Sequence, residues 1–272
     1  MLDLDVKEYI DDIEYIDEYK DLKNLEHKDN TCVKLSIDNR NGKIVAIKEL
    51  NDGKFNAFKE ISILSKLSTV DNPHPNIACF YRGFKDIKSG NYYLVTEYIN
   101  GCNLFDAIRS YSNEGARKEK YLYDMTIKLL KTLKYIHKKN IVHGDISYKN
   151  ILVVQKEPFL IDFGLSRDIT IIPPKMDVSG TPVTIDPVLL KEKVKKPYND
   201  TWSLGITIIV VLEEYTWDLS EKKTVTTLLK EIYDDNYTPQ LNVKHQKLNI
   251  LVNNMLIRDP KKRKSASQLL KL

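Results

Sequence analysis

The spacing of apolar residues changes once along this chain, close to residue 100, and that change limits the folds open to it. Before it lie short stretches with the alternation and the β-branched or aromatic content of strands. After it lie segments with the three-and-four spacing of amphipathic helices. "CVKLSID" and "KIVAIKEL", joined through "NRNG", predict a hairpin over 33–49, with Asn41-Gly42 supplying the positive dihedrals of a tight turn. Phe58, Ile61, Leu64 and Leu67 form one stripe of a helix over 55–68, and "NYYLVTEYI" (91–99) reads as a strand. Past "NGCN" (100–103), residues 118–140 predict a long helix with a basic C-terminal end, and "ILVV" and "PFLI" predict short strands. Further helices are expected near 200–215, 224–233, 243–257 and 265–272. A strand-rich first third before a helical remainder implies two lobes joined near residues 97–102. At the start, Leu2, Val6, Tyr9, Ile10, Ile13 and Ile16 predict an amphipathic helix over 2–17. Its acidic face would point outward and its apolar stripe would pack on its own lobe or on a partner.

Length and charge narrow the function classes. The 272 residues hold ample material for a core, and the apolar run "IIVVL" (208–212) is far too short to span a bilayer. A net charge of +4 gives no reason to expect nucleic acid, so neither a membrane nor a nucleic-acid partner is predicted. The acidic start lacks the basic segment of a secretory signal, and Cys32, Cys79 and Cys102 form no metal-like spacing. Both features suit a reducing interior, cytoplasmic or nuclear. Residues 1–19 carry eight acids against the single base Lys7. "KEKVKK" (191–196) and "KKRK" (261–264) are basic runs that read first as solvated surface. A substrate-facing role for the first would favour acidic targets, and the second has the composition of a nuclear-import signal.

The chemistry sits in an ordered set of polar residues. Lys48 ends "VAIK" (45–48), and Glu60 follows twelve residues later in the next helix. His143, Asp145 and Asn150 share the stretch "IVHGDISYKN" (141–150), and "DFG" occupies 162–164. A surface ion pair and ordinary turn aspartates would explain each residue singly, but not the order and spacing of all of them. Phosphoryl transfer is served by such a set, because it needs charge neutralisation and positioning more than covalent chemistry.

On these residues, and on "HPNI" (74–77), "GTP" (180–182), "DTWSLG" (200–205) and "RDPKKR" (258–263) in the same order, the chain resembles the eukaryotic protein kinase family. The resemblance covers about Tyr19 to Leu272. Aminoglycoside and choline phosphotransferases share the His-Gly-Asp but lack the later series. The resemblance implies an α+β, two-lobed protein-kinase-like fold: a small β-rich N-lobe (19–96), a hinge (97–102) and a larger helical C-lobe (103–272), after an acidic helical extension (1–18). It implies transfer of the γ-phosphate of ATP, with Mg²⁺, to a Ser/Thr hydroxyl of a protein substrate. Lys48 would hold the α- and β-phosphates, fixed by Glu60. Asp145 would orient the attacking hydroxyl and accept its proton, and Asn150 and Asp162 would bind Mg²⁺ through oxygen. Lys149 would add a cation to the catalytic loop. The nucleotide pocket would be built from Leu25, Lys28, Val33, Ala46, Lys48 and Thr96, with backbone groups around Glu97 and Ile99. His143 and Phe163 would align the loop by packing.

The chain also departs from the family pattern. Glu26, Lys28 and Thr31 stand where the phosphate-covering loop carries glycines, so their side chains would crowd the phosphates unless Lys28 contributes a cation. Val188 follows "IDP" (185–187) in place of the usual glutamate, which predicts that Arg263 loses its partner. Ser147 replaces the lysine of Ser/Thr kinases, Lys149 sits near the arginine position of tyrosine kinases, and Thr181 favours Ser/Thr specificity. Gly144 replaces the arginine that in relatives pairs with a phosphate on the activation segment. The expectation is a segment ordered by its own packing through "IIPP" (171–174) and active without phosphorylation, unless Lys149 or Arg167 does the arginine's job. A nucleotide-binding scaffold of the same fold and a small-molecule phosphotransferase remain the rival readings.

Overall fold

A computed structural model describes residues 10–28, 31–50, 54–111, 115–170, 177–215 and 224–272, with the backbone alone at 16, 26–28, 31 and 54–55. The chain divides into two compact units, one ending at Asn100 and the other beginning at Gly101.

The first unit is a six-stranded sheet in the order β1-β5-β6-β4-β3-β2. Its strands are β1 (Ile10–Ile13), β2 (Tyr19–Lys28), β3 (Thr31–Asp38), β4 (Ile44–Leu50), β5 (Phe80–Asp86) and β6 (Tyr92–Glu97), with α1 (Tyr15–Glu18) and α2 (Lys54–Leu67) between them. Alternation decides the two faces. Val45 and Ile47 point with Tyr19, Phe84, Tyr93 and Val95 into an aromatic core, where Phe84 stacks on Tyr19 at 5.5 Å and on Tyr93 at 5.0 Å. Ala46 and Lys48 therefore face the other way. Register sets Val33 and Leu94 beside Lys48, and Leu35 and Thr96 beside Ala46, on that same side. Helix α2 buries Ala57, Ile61 and Leu64. It comes close because Gly83 has no side chain: a Cβ there would lie 2.6 Å from Ile61 Cδ1.

Two expectations need correction here. The hairpin of β3 and β4 forms, but only Gly42 takes a positive φ (+73°). The Asp38 carbonyl accepts the N–H of both Asn41 and Gly42, so the loop closes as a helical turn with one left-handed residue. The helix predicted over 2–17 does not hold where the structure describes it. Ile10–Ile13 is a strand running parallel to β5, Tyr15–Glu18 alone is helical, and residues 2–9 lie outside the described residues. The sheet edge supplies the physical reason, since β5 offers unpaired backbone groups. Arg82 of β5 holds Asp11 at 2.9 Å and Glu18 at 2.7 Å, and Lys88 of the turn after it holds Glu14 at 2.8 Å, so acids expected to face water find bases here.

The second unit is mainly helical: α3 (Leu104–Ser110), α4 (Gly115–Lys138), α5 (Pro187–Glu192), α6 (Pro197–Leu212), α7 (Val225–Tyr233), α8 (Gln246–Met255) and α9 (Ala266–Leu269). Short strands β7 (Cys102–Asn103), β9 (Ile151–Val154) and β10 (Glu157–Leu160) form one small sheet, and β8 (Ile141–Val142) pairs with β11 (Arg167–Asp168). Helix α6 is buried on every side from Asn199 to Val211, polar residues included, so it forms the centre of the unit. Helix α4 buries only one stripe, which includes Leu122, Met125, Leu129, Leu133 and Ile136.

Arg263 has a partner after all. Its guanidinium is fully buried against the equally buried carboxylate of Asp186, with Nη2 3.3 Å from Oδ1 and Nη1 also bonded to Oδ2. Asp186 thus provides the counter-charge expected of a glutamate two residues later, and it also caps α5 through the Val188 N–H. The run 261–264 is consequently not a continuous solvated patch. We expect Asp186→Ala to lower unfolding free energy by about 3–5 kcal/mol in urea titration, because it leaves a buried arginine uncompensated. A loss below about 1 kcal/mol would refute that role. Gly83→Ala should destabilise by about 1–3 kcal/mol through the clash with Ile61. Combined with Ile61→Ala, the total loss should fall short of the sum of the single losses; strict additivity would show that the two do not meet.

Candidate active site

The polar residues singled out in the sequence form two groups, one in each unit. In the first, the alternation of β4 brings Lys48 onto the face beside α2, whose Glu60 is buried. Lys48 Nζ lies 2.8 Å from Glu60 Oε1 and 3.1 Å from Oε2, a charge-assisted pair with the Glu60 side chain only 5% exposed. Val33, Ala46 and Thr96, all half-buried, share that face through the register given above. Leu25 is exposed and sits at an irregularity of β2, between Asn24 and Glu26. Glu97 points to the core side opposite Val45. Its N–H donates to the Cys79 carbonyl at 2.8 Å, and its carboxylate accepts the Cys79 N–H at 3.3 Å. Ile99 is buried. The side chains of Glu26, Lys28 and Thr31 lie outside the described residues, so the glycine-free loop is placed only by its backbone register, with Glu26 opposite Val33 and Lys28 opposite Thr31.

In the second unit the loop after β8 is built around Asp200 of α6. Asp200 Oδ2 accepts the His143 N–H at 2.9 Å and contacts His137 Nε2 at 2.8 Å, while Oδ1 accepts the Gly144 N–H at 2.9 Å. Burial opposes ionisation of this carboxyl, but His137, His143 and the Gly144 amide together hold it below the usual carboxylate range. His143 is buried too, and burial pushes its imidazole below the ordinary value, so it is neutral at pH 7. Its Nδ1 accepts the Asp145 N–H at 3.3 Å, which leaves Nε2–H to donate to the Ile161 carbonyl at 3.2 Å. Its ring meets the buried Phe163 edge-on at 4.8 Å. Both rings serve packing and alignment.

Asp145 is held on both oxygens. Oδ1 accepts the N–H and the hydroxyl of Thr181, each at 2.7 Å, and Oδ2 accepts Asn150 Nδ2–H at 2.8 Å. That same Asn150 amide nitrogen donates to the Asp145 carbonyl at 2.9 Å, and Asn150 Oδ1 takes no hydrogen bond among the described residues. Asp162 is exposed and adopts a left-handed φ of +60°, with its carboxylate accepting the Gly164 N–H at 3.2 Å. Lys149 is exposed on the 3-10 turn Tyr148–Asn150, whereas the Ser147 hydroxyl is buried without a hydrogen-bond partner among the described residues. Gly144 does not leave its surroundings without a cation: Lys195 Nζ would lie 2.9 Å from a Cβ at that position. The expectation of an absent cation is thereby corrected, and "KEKVKK" is not wholly surface, since Lys195 is buried. A run of lysines gives no sequence signal for which of them turns inward. The grip of Thr181 on Asp145 was equally invisible across thirty-six positions of chain.

A family model described as protein kinase domain matches residues 19–272. "Serine/threonine-protein kinase Nek11" of Homo sapiens is 29% identical over 245 residues, 86% of this chain and 36% of that protein. "Serine/threonine-protein kinase DCLK3" of Mus musculus is 32% identical over 220 residues, 78% of this chain and 26% of its own length. "Serine/threonine-protein kinase CST20" of Candida albicans is 33% identical over 202 residues, 73% of this chain and 16% of its own. This chain spans little more than a third, or less, of these curated relatives. Because the family match runs from the first residue of β2 to the last residue of the sequence, the chain belongs to the protein kinase family.

Proposed function

We propose that this chain transfers the γ-phosphate of Mg-ATP to serine or threonine hydroxyls of protein substrates. The observation that carries the reading is the state of Asp145. Its carboxylate is fixed by Thr181 and Asn150, yet Oδ2 keeps an unused lone pair with which to take the proton of an attacking hydroxyl. Asn150 Oδ1 and the exposed Asp162 carboxylate offer the hard oxygen donors that suit Mg²⁺, which prefers one or two protein ligands completed by phosphates and water. Bound there, Mg²⁺ would withdraw charge from the transferring phosphate. Lys48, kept in place by Glu60, would bind the α- and β-phosphates, and Lys149 is exposed for a contact near the target hydroxyl. Thr181 on the base and the Ser/Thr kinases among the relatives support the hydroxyl type.

Labelled Mg-ATP and a generic protein substrate test this directly, with acid hydrolysis to identify the phosphorylated residue. Lys48→Met and Asp145→Asn should each reduce turnover by about 10²–10⁴-fold with circular dichroism unchanged. Wild-type turnover in either purified variant would sink the assignment. Label found on tyrosine alone would overturn the Ser/Thr reading, and nucleotide binding without any transfer by wild type would leave a scaffold in place of an enzyme.

A further inference from the structure

Gly144 sits in the reactive loop at φ +77°, and the room that a side chain would need there is taken by another part of the chain. Lys195, between α5 and α6, has a fully buried side chain that lies 3.4 Å from the Asp177 carboxylate. Its Nζ donates to the Leu165 carbonyl at 2.9 Å and to Ser179 Oγ at 2.9 Å. These partners belong to the two ends of one segment. Leu165 directly follows Asp162-Phe163-Gly164, and Ser179 lies two residues before Thr181, the residue that holds Asp145. Asp177 tightens the second end further, accepting the Ser179 N–H at 3.0 Å with Arg167 at 3.8 Å. A buried ammonium is tolerated only where acceptors surround it, and here two oxygens and a carboxylate do so.

We propose that Lys195 is a positioning residue for phosphotransfer: it clasps Leu165, Asp177 and Ser179 so that Thr181 holds Asp145 in its working orientation. This rests on the reading of Asp145 as the base. Burial pushes the Lys195 ammonium below its ordinary pKa, and the nearby Asp177 charge opposes that shift, in keeping with a matched internal pair. Because Asp177 already supplies the negative charge beside Lys195, the contact that joins Leu165 to Ser179 needs no phosphate; residues 171–174, expected to order the segment by packing, lie outside the described residues.

The test combines steady-state kinetics with amide hydrogen exchange on Lys195→Met, Asp177→Asn and the double variant. Lys195→Met should lower kcat by about tenfold or more with KM for Mg-ATP changed by less than about twofold. Exchange at Ser179 and Thr181 should accelerate while the amides of α6 keep their protection. The double variant should be no worse than the poorer single one, as expected of groups acting as a unit. Wild type treated with phosphatase should keep its rate within about twofold. Should Lys195→Met fail to fold, Asp177→Asn carries both measurements. Unchanged exchange at Ser179 and Thr181 in a folded variant overturns the proposal, as does an unchanged kcat. So does a tenfold loss on dephosphorylation that rephosphorylation restores. A wild-type chain with no phosphotransfer would refute the kinase reading, while the exchange measurement would still decide the Lys195 contact.

Discussion

Asp200 is the carboxylate on which the loop after β8 depends. It stands on the most buried helix of its unit and gathers the amides of His143 and Gly144 with the imidazole of His137. A buried carboxylate without donors would be strongly unfavourable, by several kcal/mol, whereas each hydrogen bond to a charged group returns about 1.5–3 kcal/mol. The donors therefore keep Asp200 ionised, and its charge in turn keeps the loop backbone in a shape that includes a left-handed Gly144. Because α6 is surrounded by core, the loop inherits the rigidity of the core, and Asp145 directly follows the anchored amide of Gly144.

The β-rich unit reaches comparable precision by other means. A strand period of two separates the aromatic core of Tyr19, Phe84 and Tyr93 from the face bearing Val33, Ala46, Lys48 and Thr96. Slipping the register by one residue would bury Lys48 among aromatic rings, which desolvation forbids. Gly83 then lets α2 approach closely enough for Glu60 to meet Lys48.

Two charges are met from positions that the sequence did not point to. Arg263 finds its carboxylate in Asp186 although Val188 has displaced the usual glutamate. The surroundings of Gly144 receive a cation from Lys195, fifty-one residues further along the chain. Both cases follow from one constraint. A buried charge must be matched by an opposite charge or by oriented dipoles in three dimensions, but nothing requires the match to come from a fixed place in the sequence.

Much of the fold was legible in the one-dimensional pattern, because helix and strand periods are local properties. The shift near residue 100, the strand at 92–97, the long helix at 115–138 and the short strands at 151–154 and 157–160 all lie close to where spacing predicts them. Of the polar residues singled out by their order, Lys48 pairs with Glu60 and Asn150 bonds Asp145, contacts that follow from strand alternation and from the short spacing within one loop. The N-terminal stretch was misread because its helical spacing was overridden by a free sheet edge and by Arg82 and Lys88, which are distant in sequence. The clasp of Lys195, the grip of Thr181 on Asp145 and the pairing of Asp186 with Arg263 could not be read at all. The sequence by itself determined element types and the chemical inventory. Tertiary structure alone decided which lysine, which threonine and which aspartate turned inward, because burial and charge compensation depend on neighbours that only folding brings together.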